Sequence, residues 1–109
     1  MEEIILTFIE DFKAMHKEEI EDLFLNGYCY YFAIILHERF GRGLIMYIPI
    51  YNHFCYKIDE NLYDISGKIK DEEKIKLAVY WERYKNEEYL DSERIIRDCI
   101  CKIPSKYIP

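Results

Sequence analysis

Apolar residues recur at Ile4, Ile5, Phe8, Ile9, Phe12, Met15, Ile20, Leu23 and Phe24, with acids and lysines between them. That spacing approximates one stripe of a helix over residues 2–24, which Asn26-Gly27 then breaks. A second stripe follows at Cys29, Phe32, Ala33, Leu36 and Phe40, and the other side of the segment (Tyr31, Ile34, Ile35) is also apolar. A helix greasy round most of its circumference is predicted to be central, covered on several sides. Gly41 and Gly43 close it.

Beyond Gly43 the composition changes to that of strands. Residues 44–50 are β-branched and aromatic, and Pro49 either ends the strand or holds it at an edge. Residues 53–58 and 62–65 flank Asp59-Glu60-Asn61 and read as an antiparallel hairpin, ended by Ser66-Gly67. Residues 68–76 are charged and fit neither period. Residues 77–81 fit a short strand or the start of a helix. Asp91 to Cys101 reads as a last helix, with Asp91 or Ser92 as N-cap, Ile95, Ile96, Cys99 and Ile100 inward, and Pro104 as its stop. The order predicts a single α+β domain over 1–109, a central helix on a small antiparallel sheet with flanking N- and C-terminal helices.

Composition narrows the functional classes. The 109 residues suffice for one domain, half of them are apolar and a third charged, and four Gly with three Pro leave no room for a flexible linker. The net charge of −6 argues against broad binding to nucleic acid or anionic lipid, while leaving room for a small basic patch. The acidic start predicts no export signal, and no apolar run approaches the roughly 20 residues of a membrane span. A cytosolic protein is expected, its four cysteines as free thiols. Cys99 and Cys101 on a helix point about 200° apart, so they would neither bridge nor chelate.

Three residue types needed for thiol catalysis occur in a workable order: Cys29, His53, Asp64. Cys29 opens the central helix, where unpaired N–H groups and the helix dipole favour a thiolate and could hold an oxyanion. His53 begins a strand. If Asp59-Glu60 forms a two-residue turn, Asp64 faces Cys55 and becomes a diagonal neighbour of His53 on the same face, at roughly 7–8 Å between Cα atoms. It could then orient the imidazole. A three-residue turn would place Asp64 on the wrong face. Taken singly, Cys29 and Cys55 could be core, and Asp64 could cap the Ser66-Gly67 turn. His37 lies on the Cys29 helix, about 12 Å up the axis, too far to serve as its base. His16 reads as a solvated residue of the first helix. A zinc site from Cys29, His53 and Cys55 would lack a C-x-x-C pair, so no metal or cofactor is expected.

Gly27-Tyr28-Cys29-Tyr30 resembles the G-x-C-W/Y element of the papain-like and transglutaminase-like superfamily. Asn52-His53-Phe54 and Leu62-Tyr63-Asp64 are similar to its strand histidine and neighbouring acid. The resemblance covers about residues 24–67. It implies a helix-on-sheet core and a thiol-dependent acyl transfer, whether peptide or isopeptide hydrolysis, deamidation or transamidation, on a protein or peptide substrate. Asn26, Tyr28, Tyr30 and Asn52 are then the expected oxyanion or substrate-binding residues. The pattern departs from papain-type enzymes in having no Gln a few residues before Cys29, and the chain has no second lobe. The alternative reading is a catalytically silent protein-binding domain on the same scaffold, for example an inhibitor or adaptor from a mobile element.

Overall fold

A computed structural model describes residues 1–16, 21, 24, 25, 28–88, 91 and 93–95. In chain order the elements are α1 (Glu2–His16), α2 (Cys29–Phe40), β1 (Leu44–Ile48), a 3-10 turn (Pro49–Tyr51), β2 (His53–Ile58), β3 (Asn61–Asp64), β4 (Gly67–Lys68), α3 (Glu72–Leu77), β5 (Val79–Tyr80) and α4 (Trp81–Glu87). The five strands form one antiparallel sheet in the order β4-β3-β2-β1-β5. The fold is therefore α+β, as the alternation of periods predicts. Among the described residues no helix is long and apolar enough to cross a membrane.

The chain enters the sheet through a passage that only glycine can make. Gly43 has φ +94, and a Cβ there would lie 2.6 Å from the Lys57 carbonyl oxygen and 2.8 Å from the Tyr56 ring. The bare backbone lets β1 settle against β2 with Leu44 opposite Lys57. The Tyr56 hydroxyl donates to the Arg42 carbonyl beside it. Pro49 ends β1 by starting the 3-10 turn, and Asn52 closes that turn in the left-handed region with φ 48. β1 is not an edge, because β5 pairs with its far side.

The central hairpin has the predicted register: Ile58 faces Asn61, Lys57 faces Leu62 and Tyr56 faces Tyr63. Its two turn residues, Asp59 and Glu60, both have positive φ (51 and 67), the signature of a type I′ turn. Neither is glycine, so the turn costs energy that the pairing around it offsets.

Alternation along these strands divides the core. Tyr56, Ile58 and Tyr63 meet Ile5 and Ile9 of α1 and Phe32 and Leu36 of α2 on one side of the sheet. The other flank of α2, with Cys29 and Ala33, packs on Tyr47, Phe54, Trp81 and Ile95. α2 is thus central, wedged between α1 and the segment that begins at α4. On the opposite face Met46, Ile48, Cys55 and Leu62 are covered by Ile69, Leu77 and Ala78.

Some expectations need correction. Residues 68–76, ambiguous in the sequence, resolve into two elements: Lys68 belongs to β4, and Asp71 caps α3 by accepting from the Glu73 and Lys74 N–H groups. Residues 77–81 divide between the two readings open for them, with Val79–Tyr80 a strand and Trp81 the start of a helix. The inward Ile95 of the expected last helix is buried in the α2 cluster, whereas Ile96, Cys99, Ile100 and Cys101 lie outside the described residues.

The turn yields a test. Glu60→Gly removes the left-handed penalty on a side-chain-bearing residue at the cost of a looser unfolded chain. It should raise stability by roughly 0.5–1 kcal/mol in urea denaturation. A destabilised variant would contradict the turn assignment.

Candidate active site

The site is created by the early end of β3. In a two-residue antiparallel hairpin the pairs 58/61 and 56/63 exchange backbone hydrogen bonds, and the next such pair would be 54/65. It never forms. β3 stops at Asp64, and the chain turns back through Ile65-Ser66 so that Gly67 faces Asp64 as the start of β4. The turn is held by the Asp64 carboxylate, whose Oδ1 accepts from the Ser66 N–H at 2.8 Å and from the Ser66 hydroxyl. The Phe54 N–H, which would have continued the ladder, donates instead to Cys29 Sγ at 3.2 Å. Strand N–H groups lie in the plane of the sheet, so the sulfur occupies the space that β3 leaves.

α2 delivers the thiol to that point. Cys29 is its first residue, and the helix begins at Tyr28, which offers no side-chain cap. The Tyr28 carbonyl accepts from the N–H groups of Tyr31 and Phe32. Helix geometry gives the Cys29 and Tyr30 N–H groups no intrahelical acceptor.

His53 and Asp64 meet beside the sulfur. His53 Nε2 lies 2.8 Å from Asp64 Oδ2. The Cys29 thiol, bonded to the N–H of the next residue Phe54, is near enough to help raise the His53 pKa. With Nε2 committed to the carboxylate, Nδ1 is the nitrogen left for the thiol's proton. The two carboxylate oxygens of Asp64 divide their work, one holding the Ser66 turn and the other the imidazole. The turn-capping and imidazole-orienting readings of Asp64 thus describe one residue.

The electrostatics follow from this enclosure. Cys29 is 2% exposed, and His53 and Asp64 are 7% exposed each. Burial alone would push the imidazole towards its neutral form. The hydrogen bonds and charges of Asp64 and Cys29 outweigh it and raise the His53 pKa from 6.5 to about 9. For Asp64, burial works against ionisation, and the contacts with His53 and Ser66 reverse that and hold its pKa below the ordinary value. Cys55 lies on the same face as His53 and has no compensating partner among the described residues. Burial first, then the charges of Asp64 and Cys29, push its thiol up to about 12, so it stays protonated at neutral pH.

The other expected site residues are dispersed. Tyr28 is buried in the cluster with Phe24 and Phe32, a core position away from the sulfur's polar side. Tyr30 stacks on Phe54 at 4.7 Å and lies 6.2 Å from Trp81, partly exposed beside the thiol. Asn52 is exposed immediately before His53, and its side-chain oxygen accepts from the Tyr47 hydroxyl at 2.7 Å. That leaves its amide N–H groups as donors. Asn26 lies outside the described residues. Among the described residues no group of three His, Cys, Asp or Glu side chains is arranged to hold a metal ion.

Three further contributors complete the site, of which only the Ser66 turn is legible in the sequence. The Phe54 N–H carries no sequence signal. Ser66 had one, since an Asp followed two residues later by Ser is an Asx-turn pattern. Trp81, buried against Tyr47 and Phe54 at 5.4 and 4.8 Å, closes the aromatic side of the thiol cluster.

The family described as Phage YunG-like protein matches residues 5–98, a span containing every described residue of this site. The chain belongs to the Phage YunG-like family. No curated protein and no solved structure matches it.

The His53–Asp64 pair makes stability depend on pH in a defined sense. His53 binds its proton more tightly folded than unfolded. Its contribution is full below pH 6.5 and is lost as the pH rises through about 9. Asp64 acts oppositely, contributing above its unfolded pKa and losing that contribution as the pH falls through its depressed folded value. Urea unfolding should therefore weaken by up to about 3 kcal/mol from pH 6 to pH 10, and His53→Gln should remove most of that slope. An unchanged slope in the variant would overturn the assignment.

Proposed function

We propose that this Phage YunG-like chain is a thiol-dependent acyl-transfer enzyme with a papain-like or transglutaminase-like core. The observation that carries the reading is the buried His53–Asp64 pair at 2.8 Å beside Phe54, whose N–H donates to the Cys29 sulfur. Helix, strand and hairpin partner each contribute one member, in the order that the sequence resemblance implies.

The chemistry runs as follows from these groups. Cys29 Sγ attacks the carbonyl carbon of a protein or peptide amide while its proton resides on His53 Nδ1. The Cys29 N–H at the helix start, with an Asn52 amide N–H, receives the charge that develops on the carbonyl oxygen. His53 then gives its proton to the departing amine, leaving a thioester on Cys29. Water or a second amine, deprotonated by His53, attacks the thioester; the C–S bond breaks to release the acid or the new amide, and His53 returns the proton to sulfur. Asp64 keeps Nε2 protonated and stabilises the imidazolium throughout. The Phe54 N–H steadies sulfur in its anionic form.

The 2% exposure of Cys29 favours a second reading, a silent domain that binds another protein through the same scaffold. The family's phage description agrees with the mobile-element origin considered for such an inhibitor or adaptor.

Reactivity separates the two. Iodoacetamide at pH 6 should alkylate Cys29 faster than Cys55, Cys99 or Cys101, by about tenfold or more. His53→Ala should abolish the difference, and Asp64→Asn should reduce it. Uniform labelling of the four thiols, or a Cys29 that stays unmodified in the folded protein, would overturn the enzymatic reading and leave the binding one.

A further inference from the structure

A cavity lies on the sheet face away from α1 and α2, lined by residues that the thiol chemistry does not use. The chain is acidic overall, and many of its cations are matched by carboxylates. Lys13 pairs with Glu10, Arg42 with Asp59, Lys68 with Glu2, Lys85 with Glu82 and Arg94 with Asp91. Among the described residues Lys57 and Arg83 have no carboxylate partner, and both lean on a single ring. Arg39, Lys70, Lys74 and Lys76 have no carboxylate partner among the described residues either, but Lys57 and Arg83 alone among these share one ring and one cavity. Lys57 Nζ and Arg83 Cζ each lie 5.7 Å from the centroid of Tyr80, which is 39% exposed.

The fold brings them together from three elements. Lys57 lies two residues along β2 from Cys55, on the same face. Tyr80 of β5 is opposite Met46 of β1. Arg83 follows Tyr80 by three residues, in the first turn of α4. Between them is a surface cavity of about 340 Å³, floored by Met46 and walled by Ala78, Val79, Tyr80 and Tyr84, with Glu87 also lining it. That volume is within the range of small-molecule sites.

Two unpaired cations at one ring repel each other. Each gains only about 0.5–1 kcal/mol from an exposed aromatic face. A doubly charged anion between them would remove the repulsion and form charge-assisted hydrogen bonds to both. A single carboxylate would satisfy only one. A guanidinium fork beside a point-charge ammonium is a donor set suited to phosphate oxygens. Glu87 counters a large polyanion such as nucleic acid and can accept a hydrogen bond from a ligand hydroxyl. We propose that this cavity binds the phosphate of a small phosphomonoester through Lys57 and Arg83.

The test is titration of the full chain with inorganic phosphate and, separately, adenosine 5′-monophosphate, followed by amide NMR shifts and calorimetry. Both probes should bind saturably, the monophosphate more tightly, with shifts centred on Val79, Tyr80 and Arg83. Lys57→Gln and Arg83→Gln should each weaken binding by about tenfold or more, as expected for charged hydrogen bonds. Added salt should weaken it further. Cys29→Ser should leave it unchanged, which keeps this site's failure distinct from failure of the thiol reading. Non-saturable shifts, or affinity retained in both charge variants, would overturn the proposal. Equal affinity for the two probes would overturn the monoester assignment in favour of free phosphate.

Discussion

One backbone hydrogen bond organises the candidate site. The Phe54 N–H belongs to a strand whose neighbour has ended, and its acceptor is the Cys29 sulfur. A buried amide without a partner costs several times what a made hydrogen bond contributes. The end of β3 and the position of the α2 N-terminus are therefore coupled. If β3 ran one residue further in register, its carbonyl would compete for the Phe54 N–H and the thiol would be displaced. The Asp64–Ser66 turn prevents this. The residue that ends the strand is also the residue that holds the histidine.

That dual use explains why so few polar groups suffice. His53 and Asp64 are the buried polar or charged residues among the described ones, and they satisfy each other. Burial keeps water from all three groups, and the aromatic cluster of Tyr30, Tyr47, Phe54 and Trp81 packs on the Cys29 side. Exclusion of water strengthens the interaction between imidazole, carboxylate and thiol, and drives the histidine's affinity for its proton upward despite burial. Cys55, equally dry but unpaired, moves the other way and becomes inert.

His53 and the basic cavity share a face of the sheet, His53 at the start of β2 and Lys57 four residues along it, towards β5. Tyr84 touches both regions: its ring lies 5.1 Å from Tyr47 in the thiol cluster, and it lines the cavity beside Tyr80. α4 therefore serves as a wall for each, which gives a seven-residue helix a disproportionate share of the architecture.

Local patterns in the sequence were enough to determine the order of the main helices and strands and the central place of α2, and they narrowed the β2–β3 hairpin to two registers, of which the structure has the two-residue turn. Each is set by the spacing of apolar side chains or by turn chemistry within a few residues. The same alternation put Asp64 on the face of His53. β4 and β5, two residues each, are too short to have a period and exist only because longer strands offer them an edge. Sequence could nominate Tyr28 as a site residue, yet the packing of Phe24 and Phe32 claimed it for the core. The meeting of Cys29 with Phe54 and His53 was decided by tertiary structure, because it spans 25 residues of chain and depends on where a third strand stops. No local rule encodes a contact whose geometry is fixed by the absence of a neighbouring residue's hydrogen bond.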